Sequence, residues 1–240
     1  NPCILQQSVR QWFYYNSTAQ ERERIIINHF SFLEEHINSS MLRQLYLKKG
    51  ILLWSTPYKD KTLALSLTFN HDYRKEGLLA VTLTANGVRL YLMTFWIAPD
   101  KHGRNSLWVG ALQGGKSQLQ TNHDLTKFFF GCRPNNLILH TLYLILQHLQ
   151  IEQIYAVSNY GFQASHHYSS KRRLKTSYDK FWSEAQGVPC TDKRFFAMPS
   201  CEPKKDFASI PSHKRSMYRK RYAMLDTLDI EINTVLKFIL

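Results

Sequence analysis

The chain has 240 residues, of which 44% are hydrophobic and 13% aromatic, with only 10 glycines and 8 prolines. That composition excludes a disordered or fibrous protein and supplies a core for one large domain. A formal net charge of +13 calls for an anionic partner: nucleic acid, a lipid headgroup or a phosphorylated small molecule.

In chain order, NSTAQERERIIINHFSFLEEHI predicts a first helix. Thr18 and Glu21 stand at capping-box spacing, and Ile26, Phe30, Leu33 and Ile37 recur at helical intervals. A shorter helix over SSMLRQLYLKK follows, with Gly50 as its stop signal. These two form a helical element over residues 1–50, ahead of a mixed-sheet region over 51–240, the whole reading as one compact domain.

The period then changes. TLALSLTFN, LLAVTLTA and VRLYLMTFWIAP are rich in Val, Leu, Thr and aromatics. Asn86-Gly87 joins the last two as a tight hairpin, because both central positions of such a turn want positive φ. SLWVGALQGG adds another strand ending in a glycine pair, giving an antiparallel meander of three to four strands. Next come a helix over TNHDLTKFFFG opened by Thr121 or Asn122, a long apolar helix from Asn135 to Gln150, and a short buried strand in IEQIYAVSN. The C-terminal third holds a basic insertion, a short strand RFFAMP, and a helix capped by Ser212 with Tyr218, Tyr222, Leu225 and Asp229 on one stripe. This order predicts an α+β fold: N-terminal helices, then an antiparallel meander leading into a mixed central sheet flanked by helices.

Four cysteines (Cys3, Cys132, Cys190, Cys201) without a CxxC spacing exclude a disulfide scaffold and read as reduced, mostly buried thiols. No apolar run reaches the roughly 18–20 residues that span a bilayer, and no secretory signal opens the sequence. A cytoplasmic protein is expected, at most peripheral to the inner membrane.

The charge is concentrated. Between Tyr160 and Asp226 fourteen Lys and Arg face six Asp and Glu. Lys171, Arg172, Arg173 and Lys175 form the densest run, set among Tyr178 and Trp182. Functionally this is one wall of a cleft that grips phosphate or a headgroup, with Arg forks giving bidentate contacts; structurally it is a solvated loop. Lys214, Arg215 and Arg219 on the later helix are a second basic element. They either close the same cleft or lie on anionic lipid.

Asn159 ends the buried strand, where ligands of open α/β sheets sit, and equally reads as a turn-starting Asn. His166 and His167 are candidate acid/base or phosphate-contacting groups; no second cluster has zinc-ligand spacing, so no metal is expected. Asp179, in a first helical turn opened by Thr176 or Ser177, could orient Arg172 or a histidine or act as a base; otherwise it pairs with the basic wall. Gln113, Gly114, Gly115 and Lys116 resemble a phosphate-cradling turn but do not complete a P-loop pattern, and a plain strand-ending turn explains them better.

The blocks LWVGALQGG, NLILHTLYLILQHLQIEQIYAVSN, KRRLKTSYDKFW and IPSHKRSMYRKRYAMLD stand in an order that resembles the VirK/YbjX family of Gram-negative bacteria, over roughly residues 20–228. The resemblance implies a factor of the bacterial envelope, linked with virulence and surface remodelling, in a domain of unknown function with no agreed catalytic residues. Leading helices, meander, then helix and strand are also similar to a GNAT-type acyltransferase layout. That likeness implies acyl-CoA or another acyl donor, its pyrophosphate at a helix N-terminus; QGGKS and GCRPNNL are partial echoes of the loop that would hold it.

Two functions are therefore expected. One is an acyl- or aminoacyl-type transferase binding a phosphorylated or lipid-like substrate in a basic cleft. The other is a non-catalytic peripheral protein docking on anionic membrane or an envelope protein. Nucleic-acid binding is weaker, because no recognised binding pattern accompanies the basic residues.

Overall fold

The computed structural model describes residues 10, 12–69, 71–115, 119–163 and 177–239. Helix α1 (Ala19–His36) begins at the capping box: Thr18 Oγ1 accepts from the Glu21 N–H at 3.1 Å, and the Glu21 carboxylate accepts from the Thr18 N–H at 2.6 Å. Helix α2 (Ser39–Leu47) is capped by Asn38, whose Oδ1 accepts from the Met41 N–H at 3.0 Å. Gly50 then turns the chain at φ +84°, where any Cβ would stand 2.5 Å from the Leu67 carbonyl oxygen.

Strands β1 (Ile51–Tyr58), β2 (Lys61–Thr68), β3 (Leu79–Ala85), β4 (Val88–Pro99) and β5 (Asn105–Gly114) make an antiparallel meander of five strands. This exceeds the expected three to four because ILLWSTPY is itself a strand. It lies at the sheet edge, where Pro57 does not cost a ladder bond to a second neighbour. The Asn86-Gly87 hairpin forms, with φ of 46° and 76°.

Helix α3 (Leu119–Phe128) starts two to three residues before the expected Thr121 or Asn122. Helix α4 (Pro134–His148) starts at a proline, whose missing N–H would be unbonded there anyway. The chain continues through β6 (Gln153–Val157), α5 (Tyr178–Glu184), β7 (Val188–Pro189), β8 (Phe195–Met198) and α6 (Ser212–Ile239). Ser212 lies inside α6 rather than before it. The inward stripe of α6 is Leu225, Leu228, Ile232, Leu236 and Ile239, with Tyr222 only partly buried at its start.

One open sheet results, in the order β1-β2-β3-β4-β5-β6-β8-β7. Every described pairing is antiparallel except β5 with β6. Helix α1 packs on β4, α4 packs on β3 to β5, and α6 packs on α4 and β1. A single apolar core runs from Trp12 to Ile239, with Trp96 and Trp182 among its largest fully buried side chains. Among the described residues no helix is long and apolar enough to cross a membrane. Of the three described cysteines, all unpaired, only Cys132 is buried; Cys201 is exposed.

Candidate functional site

The parallel joint of the sheet is short. β5 and β6 pair from Ser106–Gln153 to Val109–Ala156 and then part, while β5 runs on to Gly114. The parting coincides with a β-bulge: on β4, Phe95 pairs with Val109 and Thr94 with Ala111, so Gly110 has no opposite residue. A bulge adds twist and turns a strand away from its neighbour. Only glycine fits there, since a Cβ on Gly110 would lie 1.7 Å from the Glu76 carbonyl oxygen. That oxygen also accepts from Thr94 Oγ1 at 3.1 Å, so the 76–77 peptide lies directly on the bulge.

Beyond the bulge the β5 edge has lost its partner strand, and a side chain replaces it. The Leu112 N–H donates to the Tyr178 hydroxyl at 3.3 Å. Tyr178 comes from the first turn of α5 and is 1% exposed. Burial pushes its phenol pKa well up; the Leu112 N–H opposes this and the nearby Glu76 charge adds to it.

Glu76 is the unusual group of this crevice. It is 6% exposed, Oε1 accepts from Gln163 Nε2 at 3.4 Å, and nothing among the described residues bonds Oε2. Burial pushes its pKa up to about 7, against weaker opposition from Gln163 and Lys75. A buried carboxyl that titrates near neutrality and has a free oxygen can take or give a proton at physiological pH.

Asn159 and Asp179 fasten the same region. Asn159 Oδ1 accepts from the Tyr178 N–H at 2.8 Å, and its Nδ2 donates to Ser177 Oγ at 2.9 Å. Its own N–H donates to the Asp179 carboxylate at 2.7 Å. Ser177 caps α5 by accepting from the Lys180 N–H at 3.2 Å. These bonds tie the end of β6 to the start of α5 and so aim Tyr178 at β5. Trp182, one turn on, is fully buried and donates from its indole to the Val157 carbonyl at 2.9 Å.

Gln113 is half-buried on β5; Gly114 pairs with Tyr91, and the Gly115 N–H donates to the Leu90 carbonyl at 2.6 Å. With α3 starting at Leu119, this run bridges the carboxyl end of β5 and a helix start. Lys116, His166, His167, Lys171, Arg172, Arg173 and Lys175 lie outside the described residues.

The second basic element sits elsewhere. Lys214, Arg215 and Arg219 are exposed on the first turns of α6. Arg215 donates to the Ile210 carbonyl at 3.0 Å and, with Arg219, Phe207 and Ala208, borders an open hollow. Farther along, Tyr218, Arg221 and Tyr222 face a separate cleft, shared with the start of α4 and the last turn of α5. Asn159 borders neither cavity, so among the described residues it does not share a recess with the α6 cations. Beneath that cleft, buried His140 on α4 bridges two carboxylates, Glu202 at Nδ1 and Asp229 at Nε2, the latter at 2.5 Å. Burial opposes its charge, but the two acids overcome burial and push its pKa up to about 9.

Sequence reasoning missed Glu76 because HDYRKEG reads as a polar turn, and no local signal marks one of its charges as buried. It missed His140 because a histidine in an apolar helix does not announce acids that lie 62 and 89 residues away.

A family model described as "Protein of unknown function (DUF535)" matches residues 1–234. The chain is similar to the uncharacterized protein YbjX of Escherichia coli (strain K12), 30% identical over 235 residues, which cover 95% of this chain and 70% of YbjX. It is also similar to two uncharacterized proteins of Haemophilus influenzae. One is 28% identical, covering 90% of this chain and 71% of the relative. The other is 26% identical, covering 82% and 70%.

Proposed function

The chain belongs to the DUF535 family of YbjX-like proteins of unknown function, and from that premise we propose that it is an acyl- or aminoacyl-type transferase whose reacting centre is the gap between β5 and β6. The observation that carries this reading is Glu76: a buried carboxyl with one oxygen that nothing among the described residues bonds, its peptide held against the bulge where the two parallel strands part. Crevices beyond the carboxyl ends of parallel strands are where open α/β sheets take ligands.

In the proposed step, Glu76 takes a proton from an acceptor amine or hydroxyl as its lone pair attacks the donor's carbonyl carbon. The carbonyl–sulfur or carbonyl–oxygen bond to the carrier then breaks, and the proton returns from Glu76 to the leaving group. Tyr178 already accepts from Leu112, so its own hydroxyl proton is available to the donor's carbonyl oxygen. The run Gln113-Gly114-Gly115-Lys116, between β5 and α3, is the proposed contact for the donor's phosphates, and acyl-CoA is the donor class it suits. The acceptor in this reading is a phosphorylated or lipid-like substrate of the envelope.

The test is turnover. Incubation with a panel of acyl-CoA and aminoacyl donors should release free carrier. Glu76→Gln should slow that release by about 10²–10⁴-fold, the usual contribution of a general base, while the protein stays folded by circular dichroism. No carrier release from any donor, or full release by folded Glu76→Gln, overturns the reading.

A second reading rests on the hollow at the start of α6. There Phe207, 38% exposed, stands beside Arg215 and Arg219, with Lys214 and Lys220 exposed on the same turns. An exposed aromatic ringed by cations suits docking on an anionic membrane. Cosedimentation with phosphatidylglycerol vesicles but not phosphatidylcholine vesicles, abolished by Arg215→Glu with Arg219→Glu, would favour it. Equal recovery with both vesicles removes it.

A further inference from the structure

The cleft at the last turn of α5 lies away from the proposed reacting centre and has its own chemistry. It holds about 170 Å³, close to the roughly 150 Å³ cavity that accommodates benzene in an engineered protein. Its apolar wall is Leu139, Phe181, Ala185 and Leu225.

Its polar wall is cationic once its own pairs are discounted. Arg133 is bonded to Glu184 at 2.5 Å, and Glu202 is bonded to His140, which is charged at neutral pH. Lys205 and Arg221 remain, and neither has a carboxylate partner among the described residues. Arg221 is held in place: its Nε donates to the Phe130 carbonyl at 3.0 Å, and its guanidinium lies 4.3 Å from the Tyr218 ring centre. Helix α4 opens on the cleft through Arg133 and Asn136; Arg133 gives it no side-chain cap, while Asn135 Oδ1 accepts from the Asn136 N–H at 3.0 Å, and the positive end of a 15-residue helix adds to this wall.

An independent observation points to an occupant. Tyr143 lines the cleft and is 3% exposed, yet its hydroxyl has no hydrogen-bond partner among the described residues. Buried hydroxyls in native proteins are bonded, and one left without a partner asks for something that completes it.

We propose that this cleft is a binding site for a small organic monoanion: a carboxylate carried on a compact, benzene-sized apolar body. The carboxylate lies against Arg221 and Lys205 and accepts from Tyr143; the body fills the space among Leu139, Phe181, Ala185 and Leu225. One anionic head suits the two unpaired cations beside two carboxylates that already have partners, and the volume suits a compact apolar body.

The test uses the full chain and benzoate as probe, read by calorimetric titration, with benzyl alcohol as the neutral isostere and inorganic phosphate as the head without a body. Saturable benzoate binding is expected, about tenfold tighter than benzyl alcohol because the hydrogen bonds are charge-assisted, with no saturable phosphate binding. Tyr143→Phe removes an unbonded hydroxyl, so it should fold at least as stably as the parent yet bind benzoate about tenfold more weakly. Arg221→Gln should weaken benzoate by a similar factor or more. Failure of benzoate to saturate the parent, equal affinity for benzyl alcohol, phosphate binding as tight as benzoate, or unchanged benzoate affinity in folded Tyr143→Phe each overturns the site.

Discussion

Two histidines show how position decides charge. His29, fully buried, accepts from the Ile97 N–H at Nδ1 (3.1 Å), so Nε2 carries the proton toward the Tyr46 hydroxyl at 2.8 Å. Burial alone holds its pKa near 3. His140, buried almost as deeply, is pushed up to about 9 by its two acids. Stability linkage therefore has opposite signs at the two sites. The His29 contribution is lost as pH falls below the ordinary histidine value of about 6.5. The His140 contribution is complete below that value and is lost as pH rises toward about 9. Glu76, raised to about 7, favours the fold in its protonated form, so its contribution fades between its ordinary value and neutrality. Urea unfolding from pH 6 to 10 should show a decline of up to about 1.4 kcal/mol per pH unit above pH 6.5. His140→Gln should flatten that limb and leave the acid side unchanged; a decline kept in the variant would mean that other groups cause it. None of this was legible locally, because His29 and His140 differ only in neighbours brought by tertiary structure.

Elements were legible where the signal is local. The capping box at Thr18, the Asn86-Gly87 hairpin and the Ser177 cap all form where the sequence places them. Strand β1 was missed because its outer residues mix Leu52 with Ser55 and Pro57, which blurs the alternation. The Gly110 bulge was invisible because it is a property of two strands in register, while the sequence shows only one glycine inside a strand. Gly110→Ala tests how rigid that register is. Its Cβ would have to displace the Glu76 backbone rather than a side chain, so the variant should lose several kcal/mol and accumulate poorly as folded protein. A melting temperature unchanged from the parent would show that the 76–77 peptide can move. Helix α6 was read short: the stripe continues through Ile232, Leu236 and Ile239 against α4 and β1. Leu236→Ala, at a fully buried site, should cost about 2–5 kcal/mol by chemical denaturation; a loss under 1 kcal/mol would mean that the helix end is not docked.

For the molecule as a whole, charge composition marks residues 160–226 as cation-rich but assigns no cation to a face, and Arg133 of the cleft lies outside that stretch. Charge composition is a sum, whereas Arg133, Lys205 and Arg221 meet only because α4, the 199–206 segment and α6 converge. The mixed sheet was legible as a class, since a meander followed by helix and strand has few other solutions. The single described parallel joint, between β5 and β6, was not placed in advance. That joint also sets an order of events. The first five strands pair with neighbours in sequence, whereas β6 must find Ser106 to Val109 on one side, 47 residues back, and Phe195 to Met198 on the other, 38 to 44 residues on. Loop closure of that length slows assembly, so a newly made chain should pass through a stage in which the meander is zipped and the far side of β5 is still open to a neighbouring molecule. Pulse-labelled amides of the meander would become protected ahead of those in 153–157, and crowding during refolding would be most harmful in that interval.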